Sequence, residues 1–353
     1  MPAHHLPLLE ERRDELSKCA YCPKLCRATC VVSEAEPREA LTPWGKMTSA
    51  FDAARAGGVS ADAAELPWAC SNCFRCREAC DHRNPVTETL NDARAAYVAL
   101  GRAPEPARKL LARAPELRLR QRAAAAALAR EAGDERAGRA LLLGCRYASS
   151  FPDEARAAVR LARALGGDVA VLSGCCGYWQ RAAGDPKGAD LSRDQLRVEL
   201  GERSLLVLDP RCALELRDLG ATTLVELAAR HEERFAPTRA GERYRYHDSC
   251  ALGRGLGLYD EPRRLLARVT GQPVQELPTS RHLARCSGGG GVLPVTMPAV
   301  ASYAARRLAS DHQAAGGGTL VTGCASSLSQ LRRAGEHAVD LIALLEGRLG
   351  RDD

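Results

Sequence analysis

The chain is 353 residues long, 45% hydrophobic and 27% charged, with a formal net charge of +6. That length suits two or three domains with real cores, and those proportions are ordinary for a globular protein. The positive excess comes from arginines interleaved with carboxylates, aromatic residues are only 4%, and no nucleic-acid module is recognisable, so nucleic acid is excluded as a partner.

No apolar run is long enough to span a membrane; the richest, Ala123 to Leu128, is short and flanked by arginines. The start, Met-Pro-Ala-His-His, shows no secretory h-region. A cytoplasmic, reducing location is expected, with membrane association only through a partner. Cysteines there read as metal ligands rather than disulfides.

In chain order, Glu10 to Lys18 reads as a short helix. Pro43-Trp44-Gly45 is expected to interrupt the stretch that follows, ahead of a helical Phe51 to Ala56. Asn91 to Leu100 reads as a helix, and residues 101–138 as an Ala/Arg-rich connector of two helices punctuated by Pro104, Pro106 and Pro115. The arginines of that connector form a solvated face or a docking surface for an acidic partner or anionic lipid.

Short apolar runs then alternate with helical stretches. The expected strands are Ala140–Leu143, Val169–Leu172, Leu205–Leu208, Thr222–Val225, Tyr244–Tyr246 and Thr319–Val321. Between them lie helices at Glu154–Leu165, Arg193–Glu199, Pro262–Val269 and Ala299–Leu308. The alternation predicts α/β units with mainly parallel strands. Domains are expected at 1–100, 139–240 and 241–353, joined by the connector.

All 15 cysteines fall into spaced sets. Cys70-x2-Cys73-x2-Cys76-x3-Cys80 matches the bacterial ferredoxin run except that Asp81 replaces its proline; Cys19-x2-Cys22-x3-Cys26-x3-Cys30 is one residue longer. In such runs the fourth cysteine serves the other cluster. That rule predicts one [4Fe–4S] cluster on Cys19, Cys22, Cys26 and Cys80, and a second on Cys70, Cys73, Cys76 and Cys30. Zinc, which favours two separated Cys-x2-Cys pairs, and inert buried thiols are the alternatives. The long interval between quartets suggests an all-helical ferredoxin domain, with Trp44 and Trp68 as packing residues.

The remaining cysteines are Cys145, Cys175, Cys176, Cys212, Cys250, Cys286 and Cys324. They repeat an order of Cys, Cys-x-Gly and Cys, with intervals of 29 and 35 residues in the first copy and 35 and 37 in the second. Three expected strands run into a cysteine, at Leu143-Gly144-Cys145, Ser173-Gly174-Cys175 and Thr322-Gly323-Cys324. Since ligands of open α/β sheets gather at carboxyl strand ends, one thiol site per sheet is expected.

Three segments carry a resemblance: Ser173-Gly174-Cys175-Cys176-Gly177-Tyr178, Tyr246-His247-Asp248-Ser249-Cys250-Ala251-Leu252-Gly253-Arg254 and Cys286-Ser287-Gly288-Gly289-Gly290-Gly291. They resemble the cysteine-rich CCG domains of heterodisulfide reductase and of the iron–sulfur subunits of glycolate oxidase, lactate utilisation and anaerobic glycerol-3-phosphate dehydrogenase. The resemblance covers nearly the whole chain. It implies an α+β multidomain protein, with an all-helical double-cluster ferredoxin domain followed by two pseudo-repeated α/β CCG units.

It further implies that a complete CCG motif uses five cysteines and holds a noncubane [4Fe–4S] cluster. The first unit supplies Cys145, Cys175, Cys176 and Cys212, with Glu215 at the fifth position, so a third cluster is expected there if anywhere. The second keeps Cys250, Cys286 and Cys324, with Ser287 and Ser327 at the missing places. There His247, Asp248 or His282 would have to complete a shell; otherwise His247 and Asp248 cap a turn and the unit is a decayed structural half. The run Gly288 to Gly291 lacks the Lys-Ser/Thr of a P-loop and reads as a loop allowing close backbone approach.

The expected function is an iron–sulfur electron-transfer subunit working between a partner flavoprotein dehydrogenase and a downstream electron carrier or quinone-linked acceptor. No Ser–His–Asp set, dinucleotide fingerprint or flavin motif is present, so hydride chemistry belongs to another polypeptide. The alternatives are a heterodisulfide or thiol reductase subunit with a catalytic CCG-bound cluster, and an iron–sulfur regulatory protein.

Overall fold

A computed structural model of the chain describes residues 5–132, 134–237 and 243–350. The first four residues and the expected boundary at 240 and 241 lie outside them. The chain divides into two compact units: Met1–Ala114 with Trp179–Ala189 and Arg285–Arg307, and Pro115–Tyr178 with Asp190–Ala284 and Leu308–Asp353.

The early helices are α1 (Arg13–Ala20), α2 (Val31–Ala35), α3 (Pro43–Ala56), α4 (Arg75–Glu78), α5 (Val86–Ala99), α6 (Glu105–Ala112) and α7 (Ala114–Ala132). The first α/β stretch then runs β1 (Arg139–Leu142), α8 (Cys145–Ser150), α9 (Pro152–Gly166), β2 (Ala170–Val171), α10 (Tyr178–Ala183) and α11 (Pro186–Leu200). It ends with β3 (Ser204–Val207), α12 (Pro210–Glu215), β4 (Thr222–Thr223) and α13 (Leu224–Ala229). The second runs β5 (Tyr244–Tyr246), α14 (Asp260–Thr270), α15 (Leu293–Thr296) and α16 (Pro298–Ala314). It closes with β6 (Thr319–Thr322), α17 (Ala325–Arg333), β7 (Ala338–Asp340) and α18 (Leu341–Glu346).

The N-terminal part of the chain is helical, as expected. Its core joins Leu6, Leu16, Met47, Phe51, Trp68, Leu90 and Tyr97. Trp68 is fully buried and donates its indole N–H to the Ala183 carbonyl at 3.2 Å, which makes it a packing residue. Pro43-Trp44-Gly45 does not interrupt this part; it begins α3. Thr42 Oγ1 accepts from the Gly45 amide at 3.0 Å, and proline at the first turn gives up only an N–H that had no helical partner.

In the other unit both sheets are parallel. The first has the order β2-β1-β3-β4 and the second β5-β6-β7. An isolated parallel bridge between Arg245 and Gln275 stands beside β5 where β2 stands beside β1. The second sheet therefore repeats the first with its outer strand reduced to one residue pair, which supports the pseudo-repeat. The core includes Leu141, Leu206, Tyr246, Leu320 and Val321 from the two sheets.

Two local expectations change. The strand expected to reach Val225 stops at Thr223, because Thr223 and Glu226 form a capping box that starts α13. That signature is readable in Thr-x-x-Glu. The short β7 was not anticipated; Asp340 at its end caps α18 by accepting from the Ile342 and Ala343 amides.

Candidate iron–sulfur sites

Each ferredoxin-like loop curls so that backbone N–H groups face sulfur. Lys24, between Cys22 and Cys26, sits at φ 68°, and Asn72 and Phe74, between Cys70 and Cys76, at 53° and 62°. Left-handed non-glycine residues cost energy and persist where the surroundings demand them. Here they let Lys24 N donate to Cys22 Sγ and Asn72 N to Cys70 Sγ, both at 3.4 Å.

The structure brings Cys80 of the second quartet to the thiols of the first. Cys19, Cys22, Cys26 and Cys80 line one cavity of about 50 Å³ with Trp44, Asp81, His82 and Asn84. Burial pushes the Cys19 thiol up to about 12, against a 3.0 Å hydrogen bond from Asn84, and Cys26, Cys22 and Cys80 raise it further. Burial also lifts Cys26, to about 11. Cys76, half-buried, is held well above its ordinary value by desolvation first and then by Cys70, Cys73 and Cys30 of the second quartet's expected set and by Cys26 of the first. Its edge also lines the first cavity, so the two sets are adjacent. Such thiols stay protonated at neutral pH until a metal displaces the proton.

The donors fit a [4Fe–4S] cluster, which is held by four thiolates. A buried cation fits it too. Lys46 on α3 is 1% exposed, and its Nζ donates to Cys30 Sγ at 3.4 Å. A buried ammonium is costly without an anion, and a thiolate-bound cluster supplies one.

Arg94 on α5 is fully buried and ties this region together. Its Nε donates to Pro67 O at 2.9 Å, Nη1 to Ala182 O at 2.5 Å and Gly291 O at 3.2 Å, and Nη2 to Cys70 O at 2.9 Å. Neither Lys46 nor Arg94 was anticipated from the sequence; a lone basic residue inside an apolar helix face is the available signal. Gly291, at φ +61°, lies so close to the second loop that a Cβ would collide with the Cys70 carbonyl oxygen. The glycine run thus provides close backbone approach. Gly291→Ala should destabilise this unit by about 2 kcal/mol and lower its iron content. An unchanged unfolding midpoint with full iron would show that the loop simply moves aside.

The first α/β sheet brings four thiols together. Cys145 follows β1, Cys175 and Cys176 follow β2, and Cys212 lies on α12 after β3. Cys145 is hydrogen-bonded to Cys175, Cys175 to Cys176 and Cys176 to Cys212. The hydrogen bond to Cys175 and burial hold Cys145 well above its ordinary value. Gly144, at φ +88°, is required because a Cβ would press on Asp209 and the Cys212 sulfur. Glu215 contributes through its charge to Arg211, which lies over the Tyr178 ring at 4.6 Å and meets Cys250 Sγ at 3.7 Å.

The second sheet brings together fewer. Cys250 and Cys324 feel one another electrostatically, and Cys324, lifted to about 12 by burial, is also raised by Asp209 from the first sheet. The carboxyl ends of the two sheets therefore meet, rather than forming wholly separate sites. Ser327 acts through its backbone, as a hydrogen-bond donor to Cys324. Cys286 belongs to the other compact unit, where its Sγ lies 3.2 Å from Ser71 Oγ.

Asp248 is neither a cap nor a free ligand. Both its oxygens are held by Arg263 at 2.8 Å, and it accepts from the Arg281 amide at 2.7 Å. His247 is buried with Nδ1 3.4 Å from Thr322 Oγ1, and His282 is exposed.

Residues 15–84 match the 4Fe-4S dicluster domain, and residues 244–332 match the cysteine-rich domain. A probable membrane-anchored ferredoxin of Chromohalobacter salexigens is 45% identical over 62 residues, 18% of this chain and 9% of that protein. A dihydromethanophenazine:CoB--CoM heterodisulfide reductase subunit of Methanosarcina barkeri is 39% identical over 56 residues, 16% of this chain and 14% of that protein. Lactate utilization protein A 2 of Bacillus cereus is 38% identical over 55 residues, 16% of this chain and 22% of that protein. The chain thus spans less than a quarter of the length of each of these relatives. No helix among the described residues is long and apolar enough to cross a membrane. The chain joins a 4Fe-4S dicluster domain to a cysteine-rich CCG domain, and its relatives include a heterodisulfide reductase subunit and lactate utilization protein A.

Proposed function

We propose that the chain is the iron–sulfur electron-transfer subunit of an oxidoreductase, serving a flavoprotein dehydrogenase and a downstream carrier or quinone-linked acceptor. Cys19, Cys22, Cys26 and Cys80 would hold one [4Fe–4S] cluster, and Cys30, Cys70, Cys73 and Cys76 the other. Such clusters take up and release single electrons. The protein's own part is to bury the sulfurs, direct the Lys24, Asn72 and Asn84 N–H groups at them, and keep water from them. The crossed grouping of the two quartets carries this reading.

A second reading is favoured by the linked thiols Cys145, Cys175, Cys176 and Cys212. They would hold a third cluster or act in thiol–disulfide chemistry, as in a heterodisulfide-reductase-type subunit. Iron and sulfide analysis of anaerobically purified protein tests both. About eight irons per chain are expected from the two quartets alone and about twelve with a third cluster, at four each. Protein that is colourless after anaerobic preparation, or that carries zinc instead, would exclude the electron-transfer reading.

A further inference from the structure

The two crossed cysteine sets are not electrically equivalent. Beside the second set, Lys46 is 1% exposed and points its ammonium at Cys30 Sγ from 3.4 Å. It has no carboxylate partner among the described residues. Arg94, fully buried, directs Nη2 to the carbonyl of Cys70 in the same set at 2.9 Å. Both charges act on the Cys70 sulfur, opposing the effect of its burial.

Among the described residues, no buried lysine or arginine is hydrogen-bonded to a sulfur of the first set. Its sulfur contacts include the neutral Asn84 amide to Cys19 at 3.0 Å, the Lys24 backbone N–H to Cys22 at 3.4 Å and the Trp44 backbone N–H to Cys26. The Lys24 ammonium lies over the Trp44 ring at 3.7 Å and pairs with Glu39 at 3.6 Å, which offsets it. Asp81 lines that cavity and adds negative charge.

Reduction adds one negative charge to a cluster, so a fixed cation in a low-dielectric surround favours the reduced form. We propose that Lys46 is a positioning charge that holds the cluster of Cys30, Cys70, Cys73 and Cys76 at a higher reduction potential than the cluster of Cys19, Cys22, Cys26 and Cys80. An electron shared between the two then resides in the second set. This rests on the two-cluster reading above.

The test is a redox titration of the anaerobic holoprotein followed by EPR, with the second cluster identified as the signal missing from Cys76→Ala. Lys46→Met should lower that cluster's midpoint by the equivalent of at least tenfold in its reduced-to-oxidised ratio, about 59 mV for one electron. The other midpoint should stay in place. Lys46→Arg, which keeps the charge, should stay near wild type. Should Lys46→Met fail to load iron, Lys46→Gln, which still bonds the sulfur without charge, carries the same expectation. Two intact clusters whose midpoints do not move, or move together, would overturn the role of Lys46 while leaving the two-cluster reading standing. A wild-type protein without two [4Fe–4S] signals would remove both.

Discussion

Cys76→Ala should reduce the iron of the two-cluster protein from about eight atoms per chain to about four, with loss of one [4Fe–4S] EPR signal. Cys76 is held well above its ordinary value by desolvation and by the neighbouring Cys70, Cys73, Cys30 and Cys26. Removing it leaves three thiolates around a site built for four, and a buried, undercoordinated cluster is not held. Electron transfer to an artificial acceptor should fall with it. Both parallel sheets, whose cores exclude Cys76, should keep their structure. Full retention of both signals would show that the crossed grouping does not describe ligation.

Arg94→Met should be the most damaging substitution away from the cysteines. The guanidinium serves four carbonyl oxygens, on Pro67, Cys70, Ala182 and Gly291. A thioether supplies none of those donors, and buried acceptors left unpaired cost about 1–3 kcal/mol each. Water would recover part of that, so a net loss on the order of 3 kcal/mol is expected. The measurement is the guanidinium midpoint for bleaching of cluster absorbance in anaerobic protein. A midpoint equal to wild type would mean that these carbonyls are satisfied without Arg94.

The cysteine quartets were legible in the sequence because their spacing is local: a loop of a few residues presents three sulfurs to one point. The α/β alternation was legible for a similar reason, since strand and helix periods are written in neighbouring residues. Errors arose where one residue serves two elements. Pro43 reads as a breaker but opens α3 behind Thr42, and Thr223 reads as strand but caps α13. Asp248 looks available in its motif, yet Arg263, fifteen positions on, consumes it.

By itself, then, the order of residues determined which sulfurs can group, the two-fold repetition of the α/β pattern, and the helical character of the N-terminal part. Tertiary structure alone decided that 179–189 and 285–307 pack with the helical unit, and that Cys286 therefore meets Ser71. It also decided that a buried lysine lies beside Cys30 and a buried arginine beside Cys70. These depend on which faces bury one another across scores of residues, and burial gives a charge or a thiol its energy; neither is encoded in local spacing.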